Sequence, residues 1–326
     1  MKPKILVTRA VFPEVIERLS QHFDVDYNDQ DAALSPDALA ARLSDKVGAI
    51  TLLSDRIEAS ILAAAPGLKA VCNVAVGHNN FDLAAITAAG VMATNTPGVL
   101  NDTTADTVWA LLLASGRRIV GADKWVRAGG WKGWKFHDEW FGNDIHHATL
   151  GILGMGRIGQ AVARRAAGFE MRVIYHNRSQ LPVDQAQACN ATWVDKHVLL
   201  READFLVLLL PYTPDTHHVI GAAEIAQMKP TAHLINIARG GIVDDDALIE
   251  ALQRRRIAGA GLDVFENEPA LDPRFFELDN VVLTPHIGSS TLATRLAMAM
   301  LAADNLIAAL GGRRPPNLLN PECFRA

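Results

Sequence analysis

Three polar residues stand just beyond apolar, β-branched runs in the second half of the chain. Arg239 follows Leu234–Ile237 within NIARGGIVDD, Glu268 follows Gly261–Phe265 within GLDVFENEP, and His286 follows Val281–Thr284 within VVLTPHIGS. A guanidinium holds a carboxylate through two parallel hydrogen bonds. An imidazole titrates near neutrality and can hand over a proton as negative charge develops. A carboxylate beside that imidazole orients it and favours its protonated form. The trio suits reduction of a 2-oxo acid: the cation grips the acid while the histidine protonates the forming alkoxide. Taken singly, each has a plainer reading, as a solvated charge, a structural histidine or a turn residue beside Pro269. The three together, downstream of the motif that follows, carry the functional one.

Residues Leu150–Gly159 read LGILGMGRIG, an apolar run leading into G-x-G-x-x-G at Gly154, Gly156 and Gly159, then a helical stretch, Gln160–Ala167. The first glycine permits the tight turn, the second lets backbone approach a pyrophosphate, and the third lets helix and strand pack closely. The N–H groups at the start of that helix suit phosphate. After the next apolar run, Met171–Tyr175, an Asp or Glu that would bond a ribose 2′-hydroxyl is missing, and the chain reads His176-Asn177-Arg178-Ser179. A cation with amide and hydroxyl donors would receive a 2′-phosphate, so NADPH/NADP+ is expected in preference to NADH/NAD+. The competing reading leaves Arg178 as a surface charge. Asp263 is expected to bond the nicotinamide carboxamide or nearby backbone.

These residues need strands that end at one edge and helices that cover the faces. In the first hundred residues, short runs at Ile5–Thr8, Ala49–Leu53, Ala70–Val74 and Val91–Thr94 alternate with helical stretches at Pro13–Gln21, Pro36–Ser44, Ala59–Ala65 and Asp82–Ala89. Such alternation predicts a parallel sheet between helices. A long helix is expected over about Asp102–Gly129. Its apolar middle, Val108–Leu113, reads either as a central core helix or as a subunit interface. Trp125, Trp131, Trp134 and Trp140 after it favour an arm packed on a second copy. Strands follow at Leu150–Leu153, Met171–Tyr175, Phe205–Leu210, His233–Ile237, Gly261–Val264 and Val281–Thr284, and Thr291–Leu310 is helical. The fold expected is α/β, two Rossmann- or flavodoxin-like domains with parallel sheets around an active-site cleft. One is discontinuous, 1–99 plus 291–326, and binds substrate. The other, 100–290, binds the dinucleotide and carries a dimerisation helix and arm at about 101–145.

The 326 residues are 49% hydrophobic and 21% charged, with a net charge of −5. That is ample for two cores and excludes a disordered chain. The absence of a basic stripe argues against nucleic acid. Cys72, Cys189 and Cys323 are scattered, without metal-ligand spacing, and fit a reducing, cytoplasmic compartment. The opening MKPKILVTRA enters a strand directly, and no apolar stretch reads as a membrane span. His146, His147, His217 and His218 read as structural or as lying near the cofactor phosphates, and show no metal-ligand logic, so no metal is expected.

The phrases GILGMGRIGQAVARR, NIARGGIVDDDALIEAL, GAGLDVFENEP and TPHIGSST resemble the D-isomer-specific 2-hydroxyacid dehydrogenase family over essentially the whole chain. The resemblance implies a catalytic triad of Arg239, Glu268 and His286, with His286 as proton donor, and a typically dimeric assembly. It implies substrate contacts from the backbone N–H groups of Val76 and Gly77, from Arg239 and Ser289, and from Trp134 reaching the neighbouring subunit's pocket. It implies cofactor contacts at Thr104, Gly154, Gly156, Arg157, Ile158, Gly159, Asn177, Arg178, Ser179, Pro211, Thr216, Ile237, Asp263 and Gly288. Relatives usually show Tyr-Asp after the glycine where this chain has His78-Asn79, which puts the pocket's outer contacts in question. The arm segment and the missing acidic residue most resemble bacterial glyoxylate/hydroxypyruvate reductases, a branch that also reduces 2-ketogluconate. A 3-phosphoglycerate dehydrogenase would need a basic phosphate pocket. A dinucleotide-sensing corepressor could keep the triad without turnover.

Overall fold

Short strands of three or four residues, apolar in the interior, build the first sheet. The computed structural model describes residues 1–137 and 139–324, so Asp138 of the arm and the last two residues lie outside it. The chain separates into two units, 1–100 with the C-terminal segment from Ser290, and Asn101–Ser289.

In the first unit the elements alternate: β1 (Lys4–Val7), α1 (Pro13–Ser20), β2 (Asp24–Tyr27), α2 (Pro36–Leu43), β3 (Gly48–Thr51), α3 (Ala59–Ala64), β4 (Ala70–Asn73), α4 (Leu83–Ala88) and β5 (Met92–Thr94). Ser35 caps α2 by accepting from the Ala38 N–H, with Pro36 in its first turn, and Asp82 caps α4 through the Ala85 N–H. The parallel sheet has the order β2-β1-β3-β4-β5. β3 and β4 are buried throughout, as a sheet covered on both faces requires. Strand β2, sequence DVDY, has no place in the sequence reading. It is an edge strand with one neighbour and no fully buried residue, so it carries no apolar run.

Seven strands follow in the second unit: β6 (Thr149–Leu153), β7 (Arg172–His176), β8 (Ala191–Trp193), β9 (Phe205–Leu208), β10 (His233–Asn236), β11 (Gly259–Leu262) and β12 (Val281–Leu283). Their order is β12-β11-β10-β9-β6-β7-β8, parallel throughout. The three-residue edge strand β8 also escapes the sequence reading. The expected single helix over 102–129 is two, α5 (Asn101–Gly116) and α6 (Ile119–Arg127). The break falls at Arg118, whose φ of 52° is left-handed and ends regular α-helix. Helix α5 is a core element: Trp109 stacks on Phe169 at 4.7 Å, and its indole N–H donates to the Val162 carbonyl at 3.2 Å. Helix α6 has no buried residue. Trp131, Trp134, Phe136 and Phe141 beyond it are all exposed.

The later helices are α7 (Arg157–Ala166), α8 (Val183–Ala188), α9 (Lys196–Glu202), α10 (Ala222–Ile225), α11 (Asp245–Gln253) and α12 (Leu292–Leu310). Helix α12 corrects the expectation about membrane spans, because its 19 residues have the length and mean hydropathy, 1.3, of one. Ten of its residues are buried, and it packs on β3 and β4 of the first sheet. Apolarity all round is what a helix between a sheet and other helices requires.

One buried ionisable group sits at the start of β10. His233 is 3% exposed, stacks on Phe205 at 5.3 Å, and shares a 2.7 Å hydrogen bond between its Nδ1 and the Ser115 hydroxyl. Burial pulls its pKa down to about 4. An unfolded histidine titrates near 6.5, so between these values the unfolded chain binds a proton that the folded one refuses. Stability is therefore complete above about pH 6.5 and lost as pH falls toward 4, by roughly 3 kcal/mol at the limit. Urea midpoints measured from pH 7.5 to 4.5 should fall less steeply for His233→Gln than for the parent. Parallel slopes would contradict the assignment.

Candidate active site

The loop after β6 is shaped by what its glycines lack. Gly154 has φ +104°, and a Cβ there would lie 2.7 Å from the Leu209 carbonyl carbon, so only glycine makes the turn. At Gly159 a Cβ would lie 2.7 Å from the Gly154 carbonyl oxygen, where α7 comes down onto the strand. Gly156 is the N-cap of α7, and nothing lies within 4 Å of where its Cβ would be. A helix N-terminus with open space before it fits the pyrophosphate of a dinucleotide. Arg157 is exposed and Ile158 half-buried in the first turn.

Past β7 the expected donors separate. The Asn177 carboxamide oxygen accepts the Met155 N–H at 2.7 Å, inside the glycine turn, and its own carbonyl accepts the Trp193 indole N–H at 3.1 Å. Asn177 thus braces the turn, while Arg178 and Ser179 are exposed. Among the described residues no carboxylate forms an ion pair with Arg178. In the loop after β9, the Thr216 hydroxyl donates to the Pro211 carbonyl at 2.8 Å and accepts the Thr213 N–H at 2.8 Å. That hydroxyl holds the loop's own turn. Thr104 of α5 and Ile237 after β10 are buried.

Arg239, Glu268 and His286 leave the carboxyl ends of β10, β11 and β12, the edge where open parallel sheets bind ligands. His286 Nδ1 lies 2.7 Å from Glu268 Oε2, and the other carboxylate oxygen accepts the Phe265 N–H at 3.2 Å. Burial pushes the Glu268 carboxyl upward, but His286, the Phe265 N–H and the charge of Arg239 outweigh it and hold the group below its ordinary pKa. Burial lowers the Arg239 pKa, opposed by the charge of Glu268. Guanidinium pKa values stand so high that Arg239 stays a cation. Its Nη1 donates to the Ala238 carbonyl at 2.7 Å, and the Asn236 amide donates to the Arg239 carbonyl at 3.1 Å.

Asp263 does something the sequence does not announce. It is fully buried and accepts three hydrogen bonds, from the Thr284 hydroxyl at 2.6 Å, the Ile287 N–H at 2.8 Å and the Gly288 N–H at 2.8 Å. Both its oxygens are thus spent on the loop that carries His286, whose own φ is +54°. The Gly288 carbonyl accepts the Thr107 hydroxyl of α5 at 3.3 Å. Ser289, next along, is half-buried.

In the first unit, the loop after β4 is tied by its carbonyls. The Asn73 amide donates to the Gly77 carbonyl at 3.0 Å, and the Asn95 amide donates to the Val76 carbonyl at 2.7 Å. Among the described residues no group accepts the N–H of Val76 or Gly77. Asn73 and Asn95 are absent from the sequence reading, since an asparagine at a strand end carries no distinguishing pattern. Trp134 is 79% exposed. Among the described residues, no group of three or more His, Cys, Asp or Glu side chains is placed to hold a metal ion.

Residues 109–288 match the family described as D-isomer specific 2-hydroxyacid dehydrogenase, NAD binding domain. The chain is 48% identical to the glyoxylate reductase of Thermococcus onnurineus, over 99% of this chain and 97% of that protein. It is 46% identical to glyoxylate/hydroxypyruvate reductase B of Pectobacterium carotovorum over the full length of both. Among solved structures, the NADPH-dependent glyoxylate/hydroxypyruvate reductase of Sinorhizobium meliloti, in complex with NADP and malonate, superposes with a TM-score of 0.87. Identity there is 32%, with 100% of this chain and 99% of the other covered. A Thermus thermophilus protein reaches a TM-score of 0.90 at 42% identity, over 97% of this chain and 99% of the other. With a glycine turn fit for a dinucleotide and a histidine–carboxylate pair beyond the same sheet edge, the chain belongs to the D-isomer specific 2-hydroxyacid dehydrogenase family and is an NAD(P)-dependent oxidoreductase.

Proposed function

We propose that this protein is an NADPH-preferring reductase of small 2-oxo acids, turning glyoxylate into glycolate and hydroxypyruvate into D-glycerate, with 2-ketogluconate as a further substrate. The observation that carries the reading is the 2.7 Å contact between His286 Nδ1 and a Glu268 carboxylate held ionised beside Arg239. The named reductases among the relatives support the substrate class.

The bound dinucleotide supplies the hydride. Arg239 grips the substrate carboxylate, and its partial burial strengthens that bond by excluding water. With Nδ1 engaged by Glu268, His286 presents Nε2 to the keto oxygen and delivers the proton there as negative charge grows. Glu268 remains negative, orients the ring and stabilises the imidazolium before transfer. The first unit acts as the substrate-binding domain, offering the substrate the N–H groups of Val76 and Gly77, and Ser289 of the second unit is a further substrate contact. Thr104, Gly154, Gly156, Arg157, Ile158, Gly159, Pro211, Ile237 and Gly288 line the dinucleotide site in the second. Asn177 and Thr216 shape that site by bracing its loops. Asp263 serves the nicotinamide through the Ile287–Gly288 backbone that it holds. Arg178 and Ser179 receive the 2′-phosphate.

The exposed aromatics after α6 are the surface for a second copy, giving a homodimer in which Trp134 enters the partner's pocket. Free cysteines fit a cytoplasmic enzyme.

NADPH oxidation with glyoxylate or hydroxypyruvate tests the activity, and negligible turnover would favour a binding module instead. His286→Ala should lower kcat by about 10²–10⁴-fold, the usual worth of a positioned acid. Arg239→Ala should raise KM for the 2-oxo acid as well as lower kcat. Near-normal turnover in either variant would refute its role. For cofactor choice, kcat/KM should favour NADPH in the parent, and Arg178→Glu should reverse the preference. An unchanged ratio would leave Arg178 as a surface charge. Sedimentation should give twice the chain mass, and Trp134→Ala should raise KM for the 2-oxo acid while the dimer persists. A monomer at micromolar concentration would refute the arm's role.

A further inference from the structure

Beyond the triad, one residue touches both of the loops that carry Arg239 and Glu268. His218 ends the loop after β9, with left-handed backbone at φ +50°. Its N–H donates to the Gly241 carbonyl at 2.7 Å, two residues beyond Arg239. Its Nε2 makes a short hydrogen bond to the carboxylate of Glu266, two residues before Glu268. The two loops meet between these points. A Cβ on Gly240 would lie 1.8 Å from the Phe265 carbonyl oxygen, so backbone packs on backbone there.

The charges around His218 explain why this contact is needed. Asp244 lies 3.9 Å from its Nδ1, and the His217 ring stacks on it at 3.9 Å. The Glu266 N–H donates to the Asp245 carboxylate at 3.1 Å. Burial, opposed by that N–H and assisted by the charges of Glu266, Asp244 and Asp272, pushes Asp245 up to about 6. The cation in this cluster, Arg274, is bound to Asp272 and Asp246. Without the imidazole, Glu266 would face Asp244 and Asp245 with no donor of its own. Like-charge repulsion would then drive the 265–268 loop outward.

We propose that His218 is a positioning residue for the reaction, tying the Arg239 loop to the Glu268 loop so that guanidinium and carboxylate keep their spacing. This rests on the roles proposed above for Arg239 and Glu268. His218 acts through those loops and does not itself reach the reacting atoms. A displacement of about 1 Å at the chemistry costs on the order of 100-fold. That sets the scale of the effect.

The experiment is a double-mutant cycle in kcat on the full chain, with NADPH and glyoxylate. His218→Ala should lower kcat by about 10- to 100-fold and raise KM for glyoxylate, with the thermal midpoint little changed. His218→Gln keeps a donor in reach of Glu266 and should recover most of the loss. If His218→Ala fails to fold, Glu266→Gln takes its place in the cycle, since it weakens the same contact from the other side. Because His218 acts through the Glu268 loop, either substitution should cost far less in a Glu268→Gln background than in the parent. Equal losses in both backgrounds, or no loss in the parent, would overturn the proposal. Full turnover in Glu268→Gln alone would overturn the triad reading itself, and this proposal with it.

Discussion

The arrangement of the site depends on one buried carboxylate. Asp263 has no exposed surface and accepts three hydrogen bonds from a single short stretch, Thr284 to Gly288. A buried charge is tolerated only when donors replace the water it has lost, and removal of its partners leaves the full desolvation cost unmet. The demand runs both ways: the carboxylate needs those donors, and its two oxygens fix the chain on both sides of the left-handed His286, alongside the Thr107–Gly288 bond. The imidazole thereby reaches Glu268 at hydrogen-bond distance. The placement of His286 therefore rests on an electrostatic requirement one residue beyond the end of β11.

The parallel sheet turns that requirement into a site. Every strand of the second unit runs the same way, so each loop that leaves a carboxyl end meets its neighbours along one edge. The loops are then fastened to each other rather than to the strands alone. Asn177 ties the β7 loop to the glycine turn, Asp263 ties β11 to the β12 loop, and His218 ties the β9 loop to those after β10 and β11. Such cross-loop bonds let irregular backbone hold side chains with the accuracy of a scaffold. In the first unit, Asn73 and Asn95 take the same part for Val76 and Gly77.

Much of this was legible from composition and spacing. The interior strands are apolar because both faces are covered, so β3, β4, β6, β9 and β10 declare themselves in the sequence. Of the edge strands, β5 and β12 are read from their apolar runs, whereas β2 and β8 are not, since DVDY and ATW contain no fully buried residue and form no continuous apolar run. Two tandem arginines, Arg117 and Arg118, mark the place where α5 stops being a core helix. Helical propensity alone passes straight through them, because arginine is a good helix former. Thr291–Leu310 was readable as a helix, but its burial against β3 and β4 came from a sheet almost 250 residues earlier.

What the sequence determined by itself is local. A glycine that must turn where a side chain would strike Leu209, a proline or serine that starts a helix, and a histidine placed just after a strand are each settled within a few residues. The tertiary structure alone decided which partners those residues found: Asp263 with the 284–288 loop, Asn177 with Met155, and His218 with Gly241 and Glu266. These contacts join positions about 20 to 50 apart in the chain. A hydrogen bond depends on distance and direction in space, and neither exists until the sheet has brought the strand ends together.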